Sequence, residues 1–227
     1  MAIPTGIQVL DSRLDGGLPE GSLICVYANP LSMPEAFLYS FASVRKTYYF
    51  NTSRPSEHVR NSMVEMGFDF DVEFIDVFNE YYLKDKHFTI DDPYRDTRIF
   101  DFVGEELDNV SRKCTSCTII VDNFSFFLNL NVSRGLKEWL LIKLYNTSKF
   151  LKNLIYIYVM KDVHPPEISN LVIDVSDVVF DLDVEKIGDK VYRRLSIPKI
   201  RGKTPFVDTF RYYVREGVVI DTSRDIA

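Results

Sequence analysis

The first chemistry that this sequence could perform is phosphate binding, in the loop after its first predicted buried strand. Residues 23–27 are apolar or β-branched, which predicts a strand, and a turn and a helix follow. A strand, turn and helix in this order hold the phosphate-binding pattern G-x-x-x-x-G-K-[ST], whose glycines let the backbone approach phosphates and whose lysine pairs with them. The eight residues at this place are, in order, Ala28, Asn29, Pro30, Leu31, Ser32, Met33, Pro34 and Glu35.

Every defining position of that pattern carries a different residue. Ala28 and Met33 stand where the glycines would be, and Pro34 and Glu35 replace the lysine and the hydroxyl residue that holds Mg²⁺. Met33 adds a side chain where the backbone must come close to phosphate, and Pro34 has neither an amine nor an N–H. The replacement of a cation by an anion matters because two charges about 4 Å apart interact by about 4 kcal/mol at an effective dielectric constant of about 20. We therefore expect this loop to repel nucleotides.

Ser32 and Glu35 have the spacing of a capping box, S/T-x-x-E. In that motif the two side chains satisfy the free N–H groups at the start of a helix. The sequence therefore predicts that the anion site is filled from within, by Ser32 and Glu35.

The elements that must position this loop alternate between short apolar runs and longer helical patterns, which is typical of βαβ units and a mostly parallel sheet. The predicted strands are residues 23–27, 47–51, 72–77, 118–122 and 154–160. The predicted helices are residues 34–44, 55–66 and 136–150, with a further helix whose apolar stripe runs from Ile99 to Val110. The irregular stretch at 79–98 is expected to be a surface excursion.

The pattern changes after Met160. His164-Pro165-Pro166 should break any helix, and the predicted strands are then residues 178–184, 191–197, 210–214 and 218–220. Gly188-Asp189 predicts a hairpin between the first two. We therefore expect one domain over residues 1–227, with a parallel α/β core at 1–160 and a β-rich, antiparallel C-terminal extension at 161–227.

The composition is that of a globular chain of 227 residues, with 46% hydrophobic and 26% charged residues. The net charge of −6 argues against nonspecific nucleic-acid binding by the whole chain. The charge is uneven, because residues 186–227 carry ten Lys and Arg against five Asp and Glu, whereas residues 1–185 carry 17 against 28. The basic end is therefore the place where an anionic partner could bind.

The sequence predicts a cytoplasmic protein without a membrane segment, since its longest apolar run is only residues 154–160 and the first residues lack a targeting pattern. The odd number of cysteines, three, argues against a disulfide framework. Cys114 and Cys117 have the C-x-x-C spacing of redox and metal sites, but a buried or incidental pair is favoured because no second pair of ligands accompanies them. The three histidines are scattered and are interpreted as surface or structural residues.

Four segments together resemble one known family. They are residues 3–22 (IPTGIQVLDSRLDGGLPEGS), residues 49–70, residues 118–125 (TIIVDNFS) and residues 199–204 (KIRGKT). In order, they are similar to the segment before the phosphate loop, the second strand and helix, the Walker B strand and the K-x-R-G-T element of KaiC-type members of the RecA/RadA ATPase superfamily. The resemblance implies a RecA-like P-loop NTPase fold with an antiparallel C-terminal extension, in a group common in archaea.

Family members bind and hydrolyse ATP with the loop lysine and threonine, an acidic pair after the second strand, and the Walker B aspartate. The acidic pair corresponds here to Ser53 and Arg54, and Asp122 is the remaining Walker B residue. The sequence thus lacks both the residues that bind phosphate and the residues that activate water. The resemblance therefore implies the fold, but the sequence does not carry the residues needed for the activity. We expect no catalytic residues, no cofactor and no metal, with Asp122 interpreted either as a former metal ligand or as a local cap.

The resemblance also suggests what the chain does. Lys199 and Arg201 match the K-x-R pair that reaches the nucleotide of a neighbouring subunit in KaiC-type rings; the alternative is a solvated basic turn. The favoured function is a noncatalytic regulatory module in signalling, in a homo- or hetero-oligomer or bound to a protein or peptide partner such as an active ATPase relative.

Two further functions remain open from the sequence. One is a RadA-paralogue-like recombination accessory, in which the basic end or the aromatics of residues 124–134 bind DNA, although packing between helices or a protein interface explains those aromatics better. The other is an enzyme with an altered site built on Glu35 and Asp122.

Overall fold

The computed structural model describes residues 1–84, 92–204, 206 and 208–221. Strands and helices follow one another up to residue 187, and the elements of the described residues beyond it are strands. The strands are β1 (Ala2–Ile3), β2 (Leu18–Pro19), β3 (Leu23–Ala28), β4 (Thr47–Asn51), β5 (Val72–Asp76), β6 (Thr118–Asp122), β7 (Leu154–Met160), β8 (Val178–Ile187), β9 (Lys190–Ile200), β10 (Phe210–Arg215) and β11 (Gly217–Ile220). The α-helices are α1 (Gln8–Arg13), α2 (Pro34–Ala42), α3 (Ser56–Glu65), α4 (Pro93–Lys113), α5 (Ser125–Asn129), α6 (Arg134–Leu151) and α7 (Pro166–Val175).

Nine strands form one sheet in the order β11-β10-β9-β8-β3-β7-β6-β4-β5. The six strands from β8 to β5 are parallel, and β9, β10 and β11 continue the sheet with antiparallel pairing. This confirms the predicted mixed α/β architecture. The parallel part reaches beyond Met160, because β8 pairs in parallel with β3 and in antiparallel with β9. The predicted turn at Gly188-Asp189 is confirmed, since Ile187 pairs with Lys190 across it.

Two expectations are wrong. Pro165 and Pro166 do not prevent a helix but begin one, since Pro166 is the first residue of α7, where a missing N–H costs nothing. The ends of the 79–98 stretch are not a surface excursion: Tyr81 and Asp96 are buried, and the Tyr81 hydroxyl donates to the Asp96 carboxylate at 2.6 Å. Residues 85–91 of that stretch lie outside the described residues.

The helix that follows the candidate loop is enclosed on several sides. Eight of the nine residues of α2 are buried. The Phe41 ring stacks on Tyr156 of β7 with 4.4 Å between centroids, and the Phe37 ring meets the edge of Tyr212 of β10 at 4.9 Å. The N-terminal segment closes another side at Gly6, where a Cβ would lie 2.4 Å from a backbone oxygen of α2, so only glycine fits. Because both parts of the sheet hold α2, the loop before it is firmly anchored.

Candidate functional site

Three backbone N–H groups of the 28–35 loop donate to oxygens of the protein itself. Asn29 caps a short 3-10 turn at Pro30–Ser32: its side-chain oxygen accepts from the Leu31 N–H at 2.9 Å and its carbonyl accepts from the Ser32 N–H at 2.9 Å. The Asn29 N–H donates to the carbonyl of Leu182 on β8 at 3.0 Å. A phosphate site needs several such donors turned outward, and three of them are engaged here.

The two prolines of the loop, Pro30 and Pro34, have no N–H to offer. Met33 lies between them in the left-handed conformation, with φ 59° and ψ 55°. This conformation suits glycine, so the backbone shape expected of a glycine is present with a methionine side chain added to it.

The predicted capping box is wrong. Met33 is the N-cap of α2 and gives no side-chain hydrogen bond, so Ser32 lies one position too early for that role. The Ser32 hydroxyl donates instead to the carbonyl of Asn29 and completes the preceding 3-10 turn. The loop is thus closed from within, as expected, but by Asn29 rather than by Ser32 and Glu35.

A long-range hydrogen bond ties this loop to the C-terminal strands. The Tyr212 hydroxyl of β10 donates to the Ser32 carbonyl at 2.6 Å, and both residues are buried. Burial raises the pKa of Tyr212 well above its ordinary value, so the hydroxyl keeps its proton and remains a donor. No local sequence pattern predicts this contact, because the two residues are 180 positions apart.

Asp122 lies at the end of β6 and is only 8% exposed. Its carboxylate accepts a hydrogen bond from the Tyr49 hydroxyl at 2.7 Å. Burial raises the pKa of Asp122, and the negative charge of Glu35 adds to that effect, whereas Tyr49 and the positive charge of Arg54 oppose it. Glu35 and Arg54 are therefore close enough for their charges to act on Asp122.

Around Ser53, the first position of the missing acidic pair, the hydrogen bonds join neutral groups. The Asn123 N–H donates to the Thr52 hydroxyl at 2.8 Å, and that hydroxyl donates to the Asn123 carbonyl at 3.0 Å. The Asn123 side chain donates to the Ser53 hydroxyl at 3.2 Å. The peptide bond between Asp122 and Asn123 is cis. Nothing in these contacts places a carboxylate where a general base would activate water.

Besides Arg54, the groups close to Asp122 include buried phenols. Tyr39 and Tyr158 are buried beside it, and burial raises the pKa of both phenols, with the charge of Asp122 as the next cause. The Tyr39 hydroxyl has no hydrogen-bond partner among the described residues. The described parts of the chain also hold no group of three His, Cys, Asp or Glu side chains arranged for a metal ion. What this end of the sheet offers is a buried acid surrounded by phenols.

Lys199 and Arg201 both donate to the C-terminal end of α7. The Lys199 ammonium reaches the carbonyls of Ile173 and Asp174 at 2.7 Å each, and the Arg201 guanidinium reaches the Asp174 carbonyl at 2.8 Å. Cations are favourable at a helix C-terminus, where carbonyls lack partners within the helix. Both side chains thus have intramolecular roles.

Asp177 links Arg201 to the start of the central strand. Its carboxylate is buried, lies 3.2 Å from Arg201 and 2.6 Å from Lys149, and accepts the Leu23 N–H at 2.9 Å. Leu23 begins β3 and Ala28 ends it, a distance of about 16 Å at about 3.3 Å per residue. Lys199 and Arg201 therefore lie at the opposite edge of the sheet from the 28–35 loop of the same chain.

Cys114 and Cys117 have the surroundings of structural rather than reactive cysteines. Cys117 is buried, and burial together with Cys114 raises its pKa to about 12, which disfavours the reactive thiolate. The Cys117 N–H donates to the Asn153 side chain at 2.9 Å. All three cysteines of the chain are unpaired.

No sequence pattern indicates the contact between His164 and Ser125. His164 Nε2 lies 2.8 Å from the hydroxyl of Ser125, which also accepts the Met160 N–H at 2.9 Å. Burial, and then the charge of Lys137, lower the pKa of His164. Ser125 is completely buried, so this serine cannot meet a substrate, and the pair joins α5 to the loop after β7. His87 lies outside the described residues.

The aromatic stretch after β6 packs into the core. Phe124 and Phe127 are completely buried, and the Phe126 ring meets the edge of Tyr81 with 5.0 Å between centroids. This confirms packing between helices as the explanation of these aromatics, because rings that are completely enclosed cannot stack on bases.

Comparisons with known proteins identify the fold. The structure is similar to the crystal structure of the KaiC-like protein PH0186 from the hyperthermophilic archaeon Pyrococcus horikoshii OT3, with a TM-score of 0.75 and 15% sequence identity. The match covers 97% of this chain and 99% of the other. The fold is therefore of the KaiC-like RecA type, with helices flanking a mostly parallel sheet and antiparallel strands at the C-terminus.

The remaining comparisons concern sequence. No curated protein matches the chain. No helix of the described residues is both long and apolar enough to cross a membrane. Residues 2–227 match the model of a family of unknown function, DUF7125, and since this match spans nearly the whole chain, the protein belongs to that family.

Proposed function

We propose that this chain is a noncatalytic KaiC-like module, a pseudo-ATPase that acts through protein contacts rather than through ATP hydrolysis. The observation that carries the proposal is the hydrogen bonding of the 28–35 loop. Asn29, Leu31 and Ser32 donate their N–H groups to protein oxygens, and two other positions are prolines. Nucleotide binding would have to break these bonds before it could form its own.

The charges around the loop support the same proposal. Phosphate would meet Glu35 and Asp122 at this end of the sheet, where ATP-binding loops present a lysine. Arg54 is exposed and occupies a position of the family's catalytic acidic pair, so it reverses the charge needed for a general base. Binding and hydrolysis are therefore disfavoured at separate places.

The role that remains is association with a protein or peptide, either a second copy or an active ATPase relative. The edge with Lys199 and Arg201 and the edge with the 28–35 loop lie at opposite ends of β3, which suits head-to-tail contacts between subunits. In such a contact Arg201, whose side chain is 53% exposed, could reach a nucleotide held by an active neighbour.

Isothermal titration calorimetry with MgATP and MgADP tests the proposal. The unmodified chain is expected to give no binding heat at millimolar nucleotide. The matched variant restores the motif through Ala28→Gly, Met33→Gly, Pro34→Lys and Glu35→Thr, and weak binding by that variant alone would locate the defect in the loop. Micromolar affinity of the unmodified chain for MgATP would overturn the proposal.

A second candidate function, an accessory role on single-stranded DNA, is favoured by one surface of the C-terminal strands. The Arg211 guanidinium lies over the Tyr192 ring at 4.5 Å, and the adjacent Tyr213 is 47% exposed. Arginine and tyrosine on an open sheet face can stack bases. This function predicts binding to single-stranded DNA that weakens steeply as salt increases, and no retention at low salt would exclude it.

A further inference from the structure

Two carboxylates and two tyrosines are joined by a series of contacts at the carboxyl ends of β4 and β6. Glu35 and Tyr39 are four residues apart on α2, so they lie on the same face of that helix. The Tyr39 ring lies 6.4 Å from the Tyr49 ring of β4, centroid to centroid, and the Tyr49 hydroxyl donates to the Asp122 carboxylate at 2.7 Å. The contacts therefore run from Glu35 to Asp122, and the charge of Glu35 acts on Asp122.

Tyr158 of β7 borders Asp122 on its other side, because β6 lies between β4 and β7 in the sheet. The charges of Asp122 and Glu35 both act on Tyr158, as they do on Tyr39. We name these five residues, Glu35, Tyr39, Tyr49, Asp122 and Tyr158, the acid–phenol cluster. Its two charged members are both acids, so the cluster attracts a cation.

Hydrogen bonding within the acid–phenol cluster is incomplete. Tyr49 donates to Oδ2 of Asp122, and the described residues offer no donor to Oδ1. Tyr39 is completely buried, and its hydroxyl has no partner among the described residues. Buried polar groups in native structures nearly always have a partner, because an unpaired one costs free energy. The cluster is therefore complete only with a ligand that supplies donors and positive charge.

The cluster can be reached from solvent at the end of the sheet. Asp122 and Tyr158 keep 8% and 7% of their surface exposed, and Glu35 is half-buried at the start of α2. Arg54 also acts on Asp122, but its side chain is exposed and therefore remains hydrated. A cation that enters the cluster is attracted more strongly, because a buried carboxylate is less screened than an exposed one.

A primary ammonium fits this set of groups. It has three N–H donors and one positive charge, and the cluster presents the Glu35 carboxylate, Oδ1 of Asp122 and the Tyr39 hydroxyl oxygen as acceptors. The tyrosine rings favour a cation as well, because the face of an aromatic ring is negative. A guanidinium is less suitable, since its five donors form a rigid planar fork that matches one carboxylate rather than three separate acceptors.

We propose that the acid–phenol cluster binds a primary ammonium group, which a lysine side chain of a partner protein supplies. This deepens the proposed function and rests on it in one respect, that the chain acts through protein contacts. Glu35 and the free oxygen of Asp122 accept hydrogen bonds from the ammonium, and the Tyr39 hydroxyl gains a partner. The end of the sheet at which phosphate is disfavoured is then the end at which a cationic partner binds.

Titration with Nα-acetyl-lysine methylamide tests the proposal, with the nuclear magnetic resonance signals of isotope-labelled tyrosines as the readout. The unmodified chain is expected to show saturable shifts of the cluster's tyrosine signals with a millimolar dissociation constant. The Nε-acetylated form of the same compound has no charge and should cause no shift. Asp122→Asn and Glu35→Gln should each weaken binding about fivefold or more, since each removes a charge-assisted hydrogen bond. Glu57→Gln, exposed in the first turn of α3, is matched to Glu35→Gln and should leave binding unchanged.

Two further variants separate binding from folding. Tyr39→Phe removes a buried hydroxyl without a described partner, so the free energy of unfolding should not fall, whereas binding of the lysine compound should weaken about twofold or more. Arg54→Ala removes a neighbouring cation and should strengthen binding. Urea denaturation checks that each variant is folded.

Three results would overturn the inference: no saturable shift, equal binding of the charged and acetylated compounds, or carboxyl variants that bind as tightly as the unmodified chain. A four-carbon diamine tests the source of the ammonium, and binding about tenfold tighter than that of the lysine compound would overturn lysine as the source. Absence of ammonium binding would leave the pseudo-ATPase proposal standing, whereas micromolar affinity for MgATP would overturn that proposal itself.

Discussion

Two sets of residues resemble ATPase machinery, one at the carboxyl ends of the parallel strands (the carboxyl edge) and one at their amino ends (the amino edge). Hydrogen bonds between neutral groups stabilise the first set, and ion pairs stabilise the second. At the carboxyl edge, the 28–35 loop is held by neutral hydrogen bonds, from Tyr212 to Ser32 and from Leu31 and Ser32 to Asn29. At the amino edge, Asp177 lies between two cations and is itself buried. The hydrogen bonds of the loop engage N–H groups that a phosphate-binding loop would turn outward. At the amino edge, Asp177 gives Lys149 and Arg201 an anionic partner within the chain.

This difference determines what each edge can still do. Hydrogen bonds between neutral groups act over short distances and are little affected by salt. We therefore expect the loop to stay closed as the salt concentration rises. The cations of the amino edge are partly exposed, and Arg201 can contact a neighbour while its Asp177 pairing remains. Under the proposed function, the carboxyl edge does not bind nucleotide, whereas Arg201 at the amino edge stays accessible to a neighbouring subunit.

The largest effect is expected at the amino edge, from Asp177→Asn. This change removes a buried carboxylate that pairs with Lys149 and Arg201, whose side chains are 37% and 53% exposed. Because both cations stay solvated, the expected loss is that of charge-assisted hydrogen bonds, about 2–3 kcal/mol in the free energy of unfolding. Urea denaturation measures it. Asp174→Asn is the matched control, because Asp174 is exposed and Arg201 contacts its backbone carbonyl rather than its side chain. Equal, small losses for both variants would contradict the assigned role of Asp177.

The next effect is expected at the carboxyl edge, from Tyr212→Phe. The phenylalanine keeps the ring against Phe37 but leaves the buried Ser32 carbonyl without its donor, which should cost about 1–2 kcal/mol. Tyr213→Phe is the control, since that hydroxyl is exposed and its bond to Asp221 is long, at 3.3 Å. Urea denaturation of the two variants separates them. A loss no larger than that of the control would show that Tyr212 does not hold the loop.

The sequence predicts the strands of this fold better than it predicts the site. Residues 47–51, 118–122 and 154–160 are strands with the expected bounds, because continuous apolar runs report burial on both faces of a parallel sheet. The predicted strand order also agrees with the charge of Glu35 acting on Asp122. These features depend on local pattern and on the order of the strands.

What the sequence misses depends on contacts that local pattern does not encode. Ser32 has the correct spacing for a capping box, but its hydroxyl is taken by Asn29, three residues earlier. The Tyr212 bond becomes visible only when β10 has been placed beside α2. Helix α7 had a usable signal, since Ile168, Leu171, Val172 and Val175 have helical spacing after a proline start.

A smaller effect is expected within the loop itself, from Met33→Gly. The left-handed conformation costs a residue with a side chain about 1 kcal/mol, and glycine adopts it freely. The gain is reduced by the greater freedom of glycine in the unfolded chain, so we expect a rise of up to about 1 kcal/mol in thermal unfolding experiments. Met66→Gly, at an ordinary φ of −90°, should instead lose stability. A loss at Met33 would mean that its side chain stabilises the loop by packing.

The smallest effect is expected from Asp122→Asn, and its sign depends on pH. The pKa of Asp122 is raised in the folded protein, so Asp122 contributes stability below the pKa of the unfolded chain and loses that contribution as pH rises through the folded value. At neutral pH the burial of this acid therefore costs stability, although Tyr49 and Arg54 offset part of the cost. Asparagine keeps an acceptor for the Tyr49 hydroxyl without the charge, so the variant should be more stable at neutral pH by less than about 1 kcal/mol.

The pH profile of this variant then decides what the carboxylate does. Denaturant unfolding across a pH series should show the advantage of Asp122→Asn shrinking as the medium becomes acidic and vanishing below about pH 3, where the wild-type carboxyl is protonated in both states. Added MgCl₂ should leave the difference unchanged if the carboxylate binds no metal. A Mg²⁺-dependent gain by the wild-type chain alone would reveal a metal site at the carboxyl edge, and the two edges would then differ less than their hydrogen bonds indicate.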